Sequence, residues 1–78
     1  MQLRVISPQG ALFEGEVQRV LLPGTKAPFV VLTHHAPLIS SLAKGKICYA
    51  LPDGTDGVLA VEGGFVEVKN DCIVVCTE

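Results

Sequence analysis

The sequence predicts an all-β fold: an antiparallel β-sandwich of about ten short strands, with a flattened barrel as the alternative closure. Three observations carry this expectation. Short apolar or alternating segments recur at spacings of roughly 8–10 residues, each bounded by Gly, Pro, Asn or Asp. No stretch repeats its apolar residues with a helical period. Asp53-Gly54 lies between two apolar runs, the strongest short-range hairpin signal in the chain.

Taken in order, Met1 to Ser7 alternates, with Leu3 and Val5 set against Gln2, Arg4 and Ile6, as a half-buried strand does. Pro8-Gln9-Gly10 turns the chain. Ala11 to Glu14 returns, anchored by Phe13 and ended near Gly15. Glu16 to Leu22 alternates again, with Val17, Arg19 and Leu21 on one face and Gln18, Val20 and Leu22 on the other. Both faces are apolar at its far end, which predicts cover on both sides there. Pro23-Gly24 stops it, and Lys26-Ala27-Pro28 is loop. Phe29 to Leu32 is a continuous apolar run of strand length.

Thr33 to Pro37 is a second loop, because Pro37 forces Ala36 toward extended geometry. Leu38 to Leu42 is strand, and Ala43 to Lys46 a turn. Ile47 to Leu51 and Val58 to Val61 flank the Asp53-Gly54 hairpin. Gly63-Gly64 marks a bulge or a place where another backbone comes close. Phe65 to Lys69 alternates, Asn70-Asp71 is a two-residue turn, and Cys72 to Cys76 is the last strand. The 78 residues form one domain, 1-78.

Composition removes several classes of function. Hydrophobic residues are 49% of the chain and charged residues 18%, which is incompatible with disorder. No apolar run approaches the ~20 residues that span a bilayer as a helix. The first ten residues lack the basic and apolar regions of a signal peptide. A net charge of −2 without a basic cluster removes the main electrostatic term for nucleic acid, so no nucleic-acid partner is expected. Cys48, Cys72 and Cys76 are odd in number, and Cys72 and Cys76 lie about 13 Å apart along one strand, too far to bond. They read as small hydrophobes rather than metal ligands, and no metal or other cofactor is expected.

Three stretches together resemble the N-terminal β-sandwich of the epsilon subunit of F-type ATP synthase. The first is Leu12-Phe13-x-Gly15-x-Val17. The second is Leu22-Pro23-Gly24, followed by Val31-Leu32 and His35-Ala36-Pro37-Leu38, against a family form LPG…G-x-x-PGHAPLLT. The third is Val61-Glu62-Gly63-Gly64-Phe65-Val66-Glu67-Val68, against V-x-GGF-x-EV. Order and spacing match along the whole chain. The resemblance implies a non-catalytic rotor part of the proton-translocating ATP synthase complex. In that role the domain clamps the gamma subunit of the central stalk and rests on the c-subunit ring, peripheral to the cytoplasmic face of the bacterial inner membrane. It also implies a c-ring interface at His35, with Ala36 beside it. A family acidic residue falls at Pro28, and Thr33-His34 stands where the family has Pro-Gly, so Thr33, His34 and Pro28 join the candidate ring contacts. Gly63, Gly64, Phe65 and Gly24 are the candidate gamma contacts. Family members commonly continue into two C-terminal helices; ending at Glu78, this chain is expected to have no C-terminal helical domain.

Other classes are set beside this one. Without the resemblance, His34 and His35 read as two solvated turn histidines, and Phe65 as core. No nucleophile–base pair, G-x-S-x-G element or metal-ligand spacing supports an enzyme. The alternative is a small all-β carrier or protein-interaction module. Lys69, just before the Asn70-Asp71 turn, would carry a biotinyl or lipoyl arm, but the acidic and methionine neighbours that mark such a tip are missing. A mass shift on Lys69 is the discriminating observation.

Overall fold

A computed structural model describes residues 1–78, and its nine strands lie in two facing sheets. The strands are β1 (Gln2–Ser7), β2 (Gly10–Glu16), β3 (Arg19–Leu22), β4 (Phe29–Leu32), β5 (Leu38–Leu42), β6 (Gly45–Ala50), β7 (Asp56–Val61), β8 (Gly64–Lys69) and β9 (Cys72–Thr77). One sheet runs β2-β1-β9-β8-β5 and the other β4-β3-β6-β7. The all-β sandwich is therefore present and the barrel is not. Each sheet keeps two open edges, and only a single bridge, Gly24 to Leu42, joins one to the other.

Two details of the expectation are corrected. The nine strands agree with the count of about ten, but they are not all antiparallel: β1 and β9 pair in parallel, from Gln2 opposite Cys72 to Ile6 opposite Cys76. The β1–β2 hairpin occupies one side of β1. The chain then visits the second sheet before returning, and that long path supplies the crossover a parallel pair requires. The strand break expected at Gly15 also moves. β2 continues to Glu16, and the chain changes sheet at Val17-Gln18. Val17 is buried, as are Val20 and Leu22, so the inward phase shifts by one residue across the change. Leu21 consequently faces outward and is 36% exposed, and the far end of that strand is covered on one side only.

Elsewhere the alternation does what its period dictates. Leu3 and Val5, Val66 and Val68, and Ile73 and Val75 point inward from the five-stranded sheet. They meet Val20, Leu22, Val31 and Ile47 from the other, in one cluster of 13 buried hydrophobic residues. No polar or charged residue is buried. Phe13 on edge strand β2 reaches Tyr49 on β6, ring centroids 4.4 Å apart at 41°, and closes that flank of the core. A bulge between Val5 and Ile6 gives β2 one more residue than β1, and Leu12 there is 50% exposed. The Asp53-Gly54 turn forms as expected. Thr55 N–H bonds to the Asp53 carboxylate at 2.9 Å, and that bond holds the carboxyl below its ordinary pKa.

Candidate functional site

The open flank between β4 and β5 carries the residues singled out in the sequence. β4 is the edge of the four-stranded sheet and β5 the edge of the five-stranded one. Pro28 immediately precedes β4 and Thr33 immediately follows it. About five residue steps at ~3.3 Å separate them, roughly 16 Å along one edge. Thr33, His34, His35 and Ala36 therefore come together at one end of this flank, and Pro28 lies at the other, beside Gly24.

The Pro28 end is fastened across the two sheets. Ala43 N–H donates to Pro23 C=O at 2.8 Å and Thr25 N–H to Ser41 C=O at 3.2 Å. The Thr25 and Ser41 hydroxyls are 2.7 Å apart. A shallow depression of about 450 Å³ lies between this loop and Ile39, Ser40 and Ser41. A second, about 340 Å³, lies on the other side of Ile39 and is lined by Pro37, Glu67 and Lys69.

The histidine end is built from a tight turn. His35 N–H donates to Leu32 C=O at 3.1 Å. His34, third of the four residues, has φ 64°, while Thr33 before it is not among the positive-φ residues. That combination is a type II turn, whose third position is usually glycine. His34 is exposed and His35 half-buried. His35 Nδ1 lies 2.7 Å from Ala36 C=O, which can only accept, so Nδ1 carries the proton and Nε2 is the nitrogen left for a partner.

Asp71, a turn residue in sequence, belongs to this end. Its Oδ1 accepts His34 N–H at 2.6 Å, and its Oδ2 lies 3.0 Å from His34 Nδ1. No signal along the chain could have found this contact, since the two residues are 37 positions apart. Asn70 and Asp71 both have positive φ, 53° and 58°, which makes the β8–β9 turn type I′. Lys69 ends β8 opposite Cys72 rather than at the tip of that turn.

The other four candidates come together through Leu42. Gly24 bridges to Leu42, Leu42 pairs with Gly64, and Gly63 and Phe65 flank Gly64. Gly63 is buried and Gly64 half-buried, so Phe65, 54% exposed, supplies the side-chain surface of the group. Phe65 is not core: it lies on the outer face of the five-stranded sheet, beside Cys76, which in turn pairs with Ile6. The outer face of the four-stranded sheet carries a second apolar row that the strand-by-strand reading missed. Val30, Leu21, Cys48 and Val58 stand side by side across all four strands. No helix is long and apolar enough to cross a membrane. No cluster of three or more His, Cys, Asp or Glu residues stands at metal-binding distances.

Comparison with known proteins gives this geometry a family. The pattern of the ATP synthase delta/epsilon chain β-sandwich domain matches residues 1–78. An ATP synthase epsilon chain of Chlorobium limicola is 36% identical over 77 residues, spanning 99% of this chain and 88% of that one. One from Sulfurovum is 39% identical over 77 residues, spanning 95% of this chain and 60% of the relative. Among solved structures, a chain of the Euglena gracilis mitochondrial ATP synthase F1/c-ring assembly superposes with a TM-score of 0.89. It is 19% identical, over 96% of this chain and 48% of that chain. A chain of the Tetrahymena thermophila central stalk and c-ring superposes at 0.79 with 17% identity, over 99% of this chain and 62% of its own length. At these identities the two superpositions establish the shared sandwich. With the family pattern running the full length of the sequence, and epsilon chains among its relatives, this chain belongs to the ATP synthase delta/epsilon chain β-sandwich family.

Proposed function

We propose that the chain is a non-catalytic central-stalk part of a proton-translocating F-type ATP synthase, holding the gamma subunit to the c-ring and passing torque between ion flow and ATP synthesis. Its place is then peripheral, at the cytoplasmic face of a bacterial inner membrane. The observation that carries the reading is the full-length family match. The molecule's surface supports it: large apolar side chains stand exposed on two outer faces, Phe65 on one and Leu21, Val30 and Val58 on the other. Unpaired apolar rows of this kind mark surfaces that meet protein.

In this reading the β4–β5 flank faces the ring. His35, with Nε2 unengaged, and the exposed His34, Thr33, Ala36 and Pro28 meet the polar loops of the c subunits. Gamma meets the outer face of the five-stranded sheet at Phe65, next to Gly63, Gly64 and Gly24. The test is co-expression with the cognate gamma subunit and c-ring, followed by size exclusion and mass analysis. A stable complex containing one copy of this chain per gamma supports the reading. A folded chain that elutes alone sinks it. His35→Ala should weaken assembly on the ring without changing the melting temperature. A variant that assembles normally removes His35 from the interface.

A further inference from the structure

Three residues hold a left-handed backbone without being glycine, His34, Asn70 and Asp71, and the first and last of them are bonded to each other. His34 has φ 64° and Asp71 φ 58°. The first sits at the third position of the Leu32–His35 turn. The second sits at the second central position of the β8–β9 hairpin turn. Glycine is the favoured residue in both places, because a Cβ is disfavoured at positive φ. Choosing Asp at position 71 weakens the hairpin on its own, so its value lies in what its carboxylate does. That carboxylate bonds to the backbone N–H of His34 at 2.6 Å and faces its ring Nδ1 at 3.0 Å. Asp71 is half-buried and His34 exposed, so the anchor is the better held of the two.

We propose that Asp71 is a positioning residue: through its two contacts to His34 it fixes the Thr33–Ala36 turn in one conformation, and so presents His35. A glycine at position 34 would adopt positive φ freely and keep only the backbone bond to Asp71; His34 adopts it at a cost and is held by its N–H and its ring together. The latch crosses from the edge of the four-stranded sheet to a turn of the five-stranded one, so it also ties the two sheets at the end opposite the Gly24–Leu42 bridge. The link to docking rests on the reading of this flank as ring-facing.

Asp71→Gly tests it. Glycine after Asn70 suits a type I′ turn, so the melting temperature should hold or rise. A charge-assisted hydrogen bond is lost from His34 N–H, so amide exchange at His34, followed by NMR, should accelerate about tenfold or more. The single set of Thr33–Ala36 resonances should broaden or split. Asp71→Asn, which keeps the Oδ1 acceptor, should fall between. In a His34→Gly background, which keeps the backbone bond and loses only the ring contact, Asp71→Gly should still accelerate exchange at position 34. Unchanged His34 exchange in a folded Asp71→Gly protein overturns the latch, and so does an absence of any acceleration in the His34→Gly background. In the assembled stalk and ring, Asp71→Gly should weaken docking about tenfold. If His35→Ala weakens docking and Asp71→Gly does not, the positioning role is overturned. If exchange accelerates while neither variant affects docking, the latch stands and the ring-facing reading falls.

Discussion

Replacing Gly64 by alanine should come close to unfolding this domain, and the loss can be built up from two parts. Gly64 has φ 135°, a conformation that L side chains rarely adopt, and forcing one into it costs about 1–3 kcal/mol. A Cβ there would also overlap the Cys76 carbonyl oxygen and lie 3.0 Å from both the Cys76 carbonyl carbon and Thr77 Cα. These are backbone atoms of β9, held between β8 and β1, so they cannot swing aside. Overpacking of this kind adds about 1–3 kcal/mol. The sum, roughly 2–6 kcal/mol, stands against a total of about 4–12 for a domain of this length at ~0.05–0.15 per residue. Gly10→Ala is the control. Gly10 has φ 127°, and nothing lies within 4 Å of its added Cβ, so it carries the backbone strain without the collision. Thermal and urea melts of both should show Gly64→Ala lower by about 1–3 kcal/mol, or roughly 4–24 °C. Equal losses would refute the close approach, and a Gly64→Ala protein within ~1 kcal/mol of the parent would refute the whole account. If the loss is as expected, the domain's own backbone accounts for the second glycine of the Gly-Gly-Phe element without any contact to gamma.

Leu22→Ala, at a fully buried site, should cost about 2–5 kcal/mol in denaturant melts, whereas Leu21→Ala beside it should cost under ~1. Equally large losses at both would restore the cover on both sides expected from sequence. Phe65→Glu should leave the melting temperature nearly unchanged yet weaken gamma binding at least about tenfold by titration calorimetry. Leu21→Lys in the same assay locates gamma by contrast: if it disrupts binding and Phe65→Glu does not, gamma meets the four-stranded sheet. Asp53 supplies a pH test. Its folded pKa is lowered by the Thr55 N–H, so that bond's contribution is present above the unfolded value, near ~3.9, and is lost as pH falls through the folded one. The Thr55 amide shift should follow that acid titration, and in Asp53→Asn it should not; a flat profile in the parent would remove the bond.

What could be read from the chain depended on the range of the signal. Strands such as Phe65 to Lys69 and Cys72 to Cys76 were legible because alternation is local and one face is buried throughout. The change of sheet at Val17-Gln18 was misplaced because Gly15 looked like the breaker. In the fold Gly15 stays in β2, with the Phe13 ring 3.3 Å from where its Cβ would be. The three-residue step from Val17 to Val20 was the true mark, a break in the period of two. The parallel β1–β9 pair left no mark at all, since nothing in either strand names its partner. The site divided in the same way. His34 and His35 stood out as a loop between apolar runs, but their anchor lies on a distant hairpin, and Asp71 read as an ordinary turn residue.

The distribution of polar bonds suggests how so small a domain serves a coupling role. Its core is wholly aliphatic and aromatic, and no buried polar group specifies anything inside it. Side-chain polar contacts link the sheets at both ends of the β4–β5 flank: Thr25 with Ser41 at one end and His34 with Asp71 at the other. Non-directional packing would hold the sheets together while leaving these connections free to shift. Directional bonds at both ends of β4 remove that freedom at the flank proposed here to face the ring. If that flank is the contact edge, as proposed, the bonds at its two ends stiffen it where torque would pass.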